Sequence, residues 1–466
     1  VLQLYPRSFP AEESYNQRKK DQVSYCVSRG DALLSLSATR SHELSRLHVV
    51  RKTSYIKTVV CSLGLATTSA AWAQNPAPPA LLYGTTTSLP PTNRFAIATT
   101  IPTLANPRSQ YVVIAEENAA SDLEVLAWQD TTSSLNATAS AGIAARTGVT
   151  AVAITGLDAS RVVTADVNKK GVLSLHTWTV GAAGVNPRKG YRTAAATALS
   201  NVAIARLSSS EVVTAYESPA GQVIVEAWTI AADGLPAPKA VVATGPSAFE
   251  VSIAAVTPGQ VITAAADKSD SLWVNTWGID AAGVHAQHQV QTTNAVSASA
   301  AQTVAVGAGR SFEEFGGSPV RSAFTPVITP DFQVQAFYWG ISDTGVLTLT
   351  STAPPTLAGD FFGVAASMLQ RNIPITTYLG GTGDNSVFTE VYTGLNPLTD
   401  NPPTYGDPYN AFSIATAPAG TDLSFLSLFN PYRAYFASGG LFGAPEGSPD
   451  GTLFINMFSY PEPPIL

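Results

Sequence analysis

Cysteine is nearly absent from this 466-residue chain, which has only Cys26 and Cys61. Both fall within the first 73 residues, so the rest of the chain has no disulfide framework, no thiolate nucleophile and no cysteine-ligated zinc. Stability has to come from packing. Charge is also sparse, at 13% of residues, and beyond residue 73 the only histidines are His176, His285 and His288. No G-x-S-x-G pentapeptide occurs, which removes a common mark of an exposed nucleophilic serine. From residue 74 onward 16 basic residues face 28 acidic ones, a net charge of −12. Such a chain is repelled by phosphate backbones and anionic lipid, which argues against nucleic-acid and membrane-surface partners.

Long apolar runs are missing too, with one short exception. The basic stretch RKTSYIK leads into TVVCSLGLATTSAAW and the small-residue site Ala71-Trp72-Ala73. That order predicts a secretory signal peptide over 49–73, cut after Ala73, and the run is shorter than the roughly 20 residues a membrane span needs. Residues 1–48 then have no place ahead of it; they contain no methionine and read as a non-native upstream extension without a fold. Segment 74–80, QNPAPPA, reads as a proline-rich linker, and 81–466 as one repeat domain. The expected location is secreted or periplasmic.

What the chain does have is repetition. YVVIAEENAASDLEVLAW, VVTADVNKKGVLSLHTW, VVTAYESPAGQVIVEAW and VITAAADKSDSLWVNTW align without a gap on Trp128, Trp178, Trp228 and Trp277, a period of about 50 residues. Within 150–193, TAVAITGL, SRVVTADV and GVLSLHTWTV read as three strands separated by turn residues, with YRTAAAT as a weaker fourth. Apolar groups on both faces of the third strand, as at Val223, Ile224, Val225 and Trp228, suit a sheet packed between two others.

The phrase V-V-T-A, then L-x-L-x-x-W, then glycine six residues after the tryptophan resembles the repeats of secreted bacterial β-propellers. That resemblance implies an all-β propeller of four-stranded antiparallel blades, and counting the units along the chain gives a seven-bladed propeller, with six or eight blades as the alternatives. Later units are read at FQVQAFYWGISDTGVL, at NIPITTY with SVFTEVYTG, and at YRAYFAS with TLFINMFSY. An insertion around SFEEFGGSPV accounts for the longer interval before Trp339. The N-terminal strand ALLYGTTTSL is expected to complete the last blade and close the ring, covering exposed strand edges.

The repeated tryptophans read as packing between blades, because a residue required by every unit serves the unit. His176 reads as a polar packing residue, and His285 and His288 fall in a hairpin loop. Glu116, Glu117, Asp166, Glu217 and Asp267 recur between second and third strands and read as a solvated hairpin rim.

Residues just before each inner strand ring the mouth of a propeller's channel: Asn93 and Arg94, Thr150, Asn201, Glu250, Gln302, Asp360 and Asn410. Oxygen donors predominate, and Asn201, Glu250, Asp360 and Asn410 form a candidate metal set, suited to Ca²⁺. The segment NPLTDNPPTYGDPYNAF departs from the repeat, and its Asp400, Tyr405, Asp407 and Tyr409, with Arg94, form a candidate ligand platform. The leading expectation is an exported, monomeric binding protein that takes a glycan, peptide, protein or small molecule at the channel mouth and loops. The competing one is a calcium-dependent lactone or ester hydrolase at the central site, by architectural likeness to the six-bladed calcium lactonases.

Overall fold

The computed structural model describes residues 24–29, 32–37, 80–89, 95–101, 110–118, 120–131, 134–143, 148–193, 198, 201–298, 303–310, 321–352, 361–369, 373–380, 386–391, 409–416, 422–427, 433–440 and 451–459. Segment 49–73 and the insertion at 311–320 lie outside these residues. The chain divides into two units, Val1–Asn75 and Pro76–Leu466. In the first, Ser24–Arg29 and Ala32–Ser37 pair as an antiparallel hairpin, in a stretch where the sequence reading assigned no fold.

In the second unit every described element is a strand, and pairing within each sheet is antiparallel. Among the described residues no helix is long and apolar enough to cross a membrane. The first sheet runs through Phe95–Thr99, Tyr111–Glu117 and Leu123–Asp130, and its fourth position is split between Leu135–Ala137 and Ala141–Ile143. The second is Val149–Gly156, Arg161–Asn168, Leu173–Gly181 and Gly184–Arg192. The third is Val202–Ser208, Glu211–Glu217, Gln222–Ile230 and Pro236–Ser247, and the fourth Glu250–Thr257, Gln260–Ala266, Leu272–Ile279 and Val284–Thr292. The fifth comprises Gly307–Arg310, Arg321–Ile328, Val334–Ile341 and Leu347–Thr352. The sixth comprises Phe361–Leu369, Ile373–Gly380, Ser386–Val391 and Tyr409–Thr416. Asp422–Ser427, Arg433–Gly440 and Gly451–Ser459 form the last sheet, whose fourth strand is Ala80–Leu89 from the other end of the chain. The first strands of successive sheets lie side by side, and that of the last sheet lies beside that of the first.

The core sits in the joints between neighbouring sheets. One cluster joins Val113, Ala115 and Val125 of the first sheet to Val162, Trp178 and Val180 of the second. Another joins Leu173 and Leu175 to Val212 and Trp228, and a third joins Val213, Val223 and Val225 to Val261 and Trp277. Second strands are therefore buried on both faces: Val162, Val163, Val212, Val213, Val261 and Ile262 are all at 0% exposure. The tryptophans are the largest side chains in these joints. Trp178, Trp228, Trp277 and Trp339 each donate from Nε1 to a threonine fourteen residues earlier, Thr164, Thr214, Thr263 and Thr325, at 2.9 Å. This is the physical content of the threonine in V-V-T-A. In the first unit the equivalent position is Ile114.

A Thr263→Val substitution keeps the shape but leaves the Trp277 indole N–H without its acceptor in a buried joint. It is expected to cost about 1–3 kcal/mol, read as a lower urea midpoint at unchanged slope.

Two more repeat positions are explained by turns. Side-chain oxygens of Asn118, Asn168, Ser218, Asp267 and Thr329 accept backbone N–H groups of the following hairpin, as at Asp267 Oδ1 with Ser269 N at 2.7 Å and Ser271 N at 3.0 Å. The glycine six residues after each tryptophan adopts positive φ at Gly184, Gly234, Gly283 and Gly345, and each packs on the fourth strand, or its edge, of the preceding sheet. Gly184 φ +111 also moves the fourth strand. Leu173–Gly181 turns directly into Gly184–Arg192, not into the later YRTAAAT segment.

Candidate functional site

The polar residues of the joints depart from their sequence readings, and the acidic series is corrected. Glu116, Glu117 and Asp166 are only 3%, 1% and 2% exposed, so they are not part of a solvated rim. They fall on second strands whose two faces are both covered. Burial, reinforced by the facing Glu124, pushes the Glu116 carboxyl up to about 8. Burial pushes Asp166 up to about 7, against the opposing pull of Arg192. Glu217 is raised by burial, against Lys268. Asp267 behaves differently because it occupies the turn position: hydrogen bonds from Trp273, Ser271 and Ser269 outweigh its burial and lower its pKa.

His176 is partly buried two residues before Trp178, with Nε2 3.6 Å from Asp166 Oδ1. Burial, then Arg192, holds its pKa down to about 4, so the ring is neutral at ordinary pH. Gly190 faces it across the sheet, and a Cβ there would stand 2.3 Å from the imidazole Nδ1. His285 and His288 are on the fourth strand of their sheet, not in a loop. His285 Nε2 lies 3.1 Å from Asp280 Oδ2, and His288 Nδ1 accepts from Leu347 N at 3.3 Å.

Of the channel-mouth residues, Asn201 precedes the first strand of the third sheet and is half-buried. Glu250 opens the first strand of the fourth sheet at 7% exposure. Its carboxylate reaches into the next unit, accepting from Thr303 N at 2.8 Å, from Thr303 Oγ1 and from Val304 N at 3.4 Å. That contact anchors the irregular entrance to the fifth sheet. Asn410 is not at a first-strand entrance: it lies in Tyr409–Thr416, the fourth strand of the sixth sheet. Tyr409 begins the same strand, whereas Arg94, Asp360, Asp400, Tyr405 and Asp407 lie outside the described residues. Among the described residues no three His, Cys, Asp or Glu side chains gather as a metal ion would require.

The position two residues before the tryptophan, read from the sequence as polar packing at His176, varies from unit to unit. It holds Leu126, His176, Glu226, Asn275 and Phe337 in successive sheets, inside joints whose other residues repeat. Glu226 is met by Tyr216, whose hydroxyl donates to Oε2 at 3.3 Å. Asn275 is 2% exposed, and neither its Nδ2 nor its Oδ1 has a hydrogen-bond partner.

No family model matches the sequence, and no curated protein matches it. Solved structures do. The BP39L lectin from Burkholderia pseudomallei superposes with a TM-score of 0.52 at 15% identity, covering 79% of this chain and 99% of that one. The chain is a β-propeller repeat protein. Lower-scoring likenesses include AofleA from Arthrobotrys oligospora, with TM-score 0.40, 10% identity and coverage of 71% and 89%. The Aleuria aurantia lectin, a six-bladed propeller with a fucose recognition mode, has TM-score 0.38, 11% identity and coverage of 74% and 100%. Within this propeller, the joints hold the buried polar groups and the first-strand entrances hold Asn201 and Glu250.

Proposed function

We propose that this chain is an exported seven-bladed propeller that binds a glycan. The observation that carries the reading is the likeness to a lectin, BP39L, along 99% of that protein's length. The succession of first strands, the last beside the first, and Ala80–Leu89 as the fourth strand of the final sheet support the count of seven. Asp400, Tyr405, Asp407 and Arg94, with Tyr409 at the start of a fourth strand, are the residues proposed to meet ligand, aromatic faces for sugar C–H groups and carboxylates for hydroxyls.

The test is an array of immobilised glycans probed with the full chain, followed by calorimetric titration of the best candidate. Binding in the micromolar to millimolar range is expected, roughly 4–8 kcal/mol, as suits a small ligand on a shallow surface. Uniform absence of binding across the array ends the reading.

A further inference from the structure

We infer that the ring opens at the joint between its last and first sheets, and that the strand edge exposed there takes Ala80–Leu89 from a second copy of the chain, giving a strand-exchanged dimer. The inference stands apart from the glycan reading. Its occupant is set by the register of the closed form: Ala80–Leu89 pairs antiparallel along Gly451–Ser459, from Ala80 opposite Ser459 to Leu89 opposite Gly451. A second copy offers the same strand to the same edge in the same register, so exchange loses no pairing. An uncovered edge of that length is a template for association.

Three features set this joint apart from those that follow it. In the second to fifth sheets the tryptophan indole donates to a threonine, whereas the matching position for Trp128 is Ile114, which has no acceptor to offer. At the turn six residues on, Gly184, Gly234, Gly283 and Gly345 fit against the preceding sheet at positive φ, but the first sheet has Ser134, whose hydroxyl meets that of Thr131 at 2.9 Å. The third feature is a carboxyl pair. Glu116 and Glu124 are cross-strand partners on the face of the first sheet turned away from the second. The equivalent pairs are Asp166 with Ser174, Tyr216 with Ile224, Ala265 with Trp273 and Val327 with Gln335, none of which joins two like charges. Glu116 is 3% exposed and its Oε2 has no hydrogen-bond partner, while Glu124 Oε1 accepts from Ser140 Oγ at 2.8 Å. Once both are ionised, directly opposed like charges work against the joint.

The neighbouring strands supply little to offset that repulsion. In the last sheet the titratable residues are Asp422, Arg433, Tyr435 and Tyr83, a single cation, and Phe95–Thr99 has none; Asp130 ends the strand that carries Glu124. The connection from Ala80–Leu89 to the first sheet, residues 90–94, reads PPTNR, and tandem proline favours extended backbone over a turn back. Closure by the chain's own strand wins in dilute solution because the tether keeps that strand at high effective concentration, and exchange gains as protein concentration rises.

The experiment mixes two forms of the full chain, both carrying Cys26→Ser and Cys61→Ser, one with Ser88→Cys and the other with Thr452→Cys, positions opposite each other in the closing pair. The mixture is held concentrated at about pH 9, where both carboxyls are ionised, and in parallel refolded together from urea, then oxidised and resolved on a non-reducing gel. A chain carrying both cysteines is expected to link to itself. The mixture should give linked dimer at least about tenfold above a control mixture of Gln222→Cys with Ser247→Cys, partners within the third sheet. Glu116→Gln added to both forms should slow linking at about pH 9 by at least about threefold. Dimer at the control level after both incubation and refolding, while the doubly substituted chain links to itself, overturns the exchange. A doubly substituted chain that fails to link to itself contradicts the closing pair and overturns it as well. Equal rates with Glu116→Gln would place the opening elsewhere in the ring and overturn the joint assigned here.

Discussion

Acidification from about pH 8.5 to about pH 6 is expected to raise the thermal midpoint by several degrees. Three carboxyls in the described joints hold their protons far above the ordinary range: Glu116 near 8, and Asp166 and Glu226 near 7, each chiefly because burial disfavours the ionised form. A group whose pKa is higher folded than unfolded contributes stability in full below its unfolded value, and that stability is lost as pH rises through the folded value. For these three the loss spans the range from about pH 4 to about pH 8, steepest near neutrality.

His176 acts in the opposite direction. Its folded pKa is about 4, below that of a free imidazole, so the unfolded chain binds the proton first and stability falls as pH drops from about 6.5 toward 4. The two trends place the optimum on the mildly acidic side of neutral. Scanning calorimetry across pH 5 to 9 checks this; a midpoint that is flat, or highest at the alkaline end, is the contrary result. Asp166→Asn isolates one contributor: at about pH 8.5 it should stabilise by roughly 2–4 kcal/mol and flatten the slope between pH 6 and 8.

The same residues mark where sequence reasoning stopped. The Trp178, Trp228 and Trp277 alignment placed the second and third strands correctly because those strands are buried on both faces and carry continuous apolar patterns. Fourth strands were harder. Gly184–Arg192 carries Pro187, Arg188 and Lys189 on an exposed edge, so no apolar alternation marks it, and its start depends on a glycine conformation. Glu116 and Asp166 were misread because an isolated acidic residue near a turn is normally solvated. What buries them is a neighbouring sheet tens of residues away. Asn275 was read only as the repeat position equivalent to His176, because the absence of a hydrogen-bond partner for its amide is a property of the joint and not of the strand. Asn410 was misplaced because the seventh unit lacks the tryptophan phrase that sets the register elsewhere.

Substituting the glycine that follows each tryptophan by six residues should give a graded loss of stability, largest at Gly283. Two demands meet there. Its φ of +147 is one that L side chains rarely adopt, and an added Cβ would lie 2.1 Å from the Val241 carbonyl oxygen of the preceding sheet. Val241 and Gly283 form a parallel bridge between sheets, and Val241 N donates to Ala282 O at 2.9 Å, so the obstacle is backbone that is itself held in place. Gly283→Ala is expected to cost about 3–5 kcal/mol, combining a disfavoured backbone conformation with displacement of the sheet contact. Gly184→Ala comes next, since its Cβ would stand 2.7 Å from the Ala139 carbonyl oxygen at φ +111. At Gly234 the nearest atoms, in the Arg188 side chain, stand 3.2 Å or more away, so the cost there should be closer to the conformational share alone, about 1–2 kcal/mol, whereas at Gly345 the Gln287 Cβ at 2.8 Å cannot swing aside and the cost should be intermediate. Gly181→Ala is the control, with nothing within 4 Å of its Cβ, and should be neutral. Urea denaturation of the five variants measures the series. Equal losses at Gly283 and Gly234 would mean that φ alone matters and that the turn does not latch one sheet to the next. The predicted order would instead show that each unit's turn is fitted to the backbone of the unit before it, which ties the repeat period of the sequence to the assembly of the sheets.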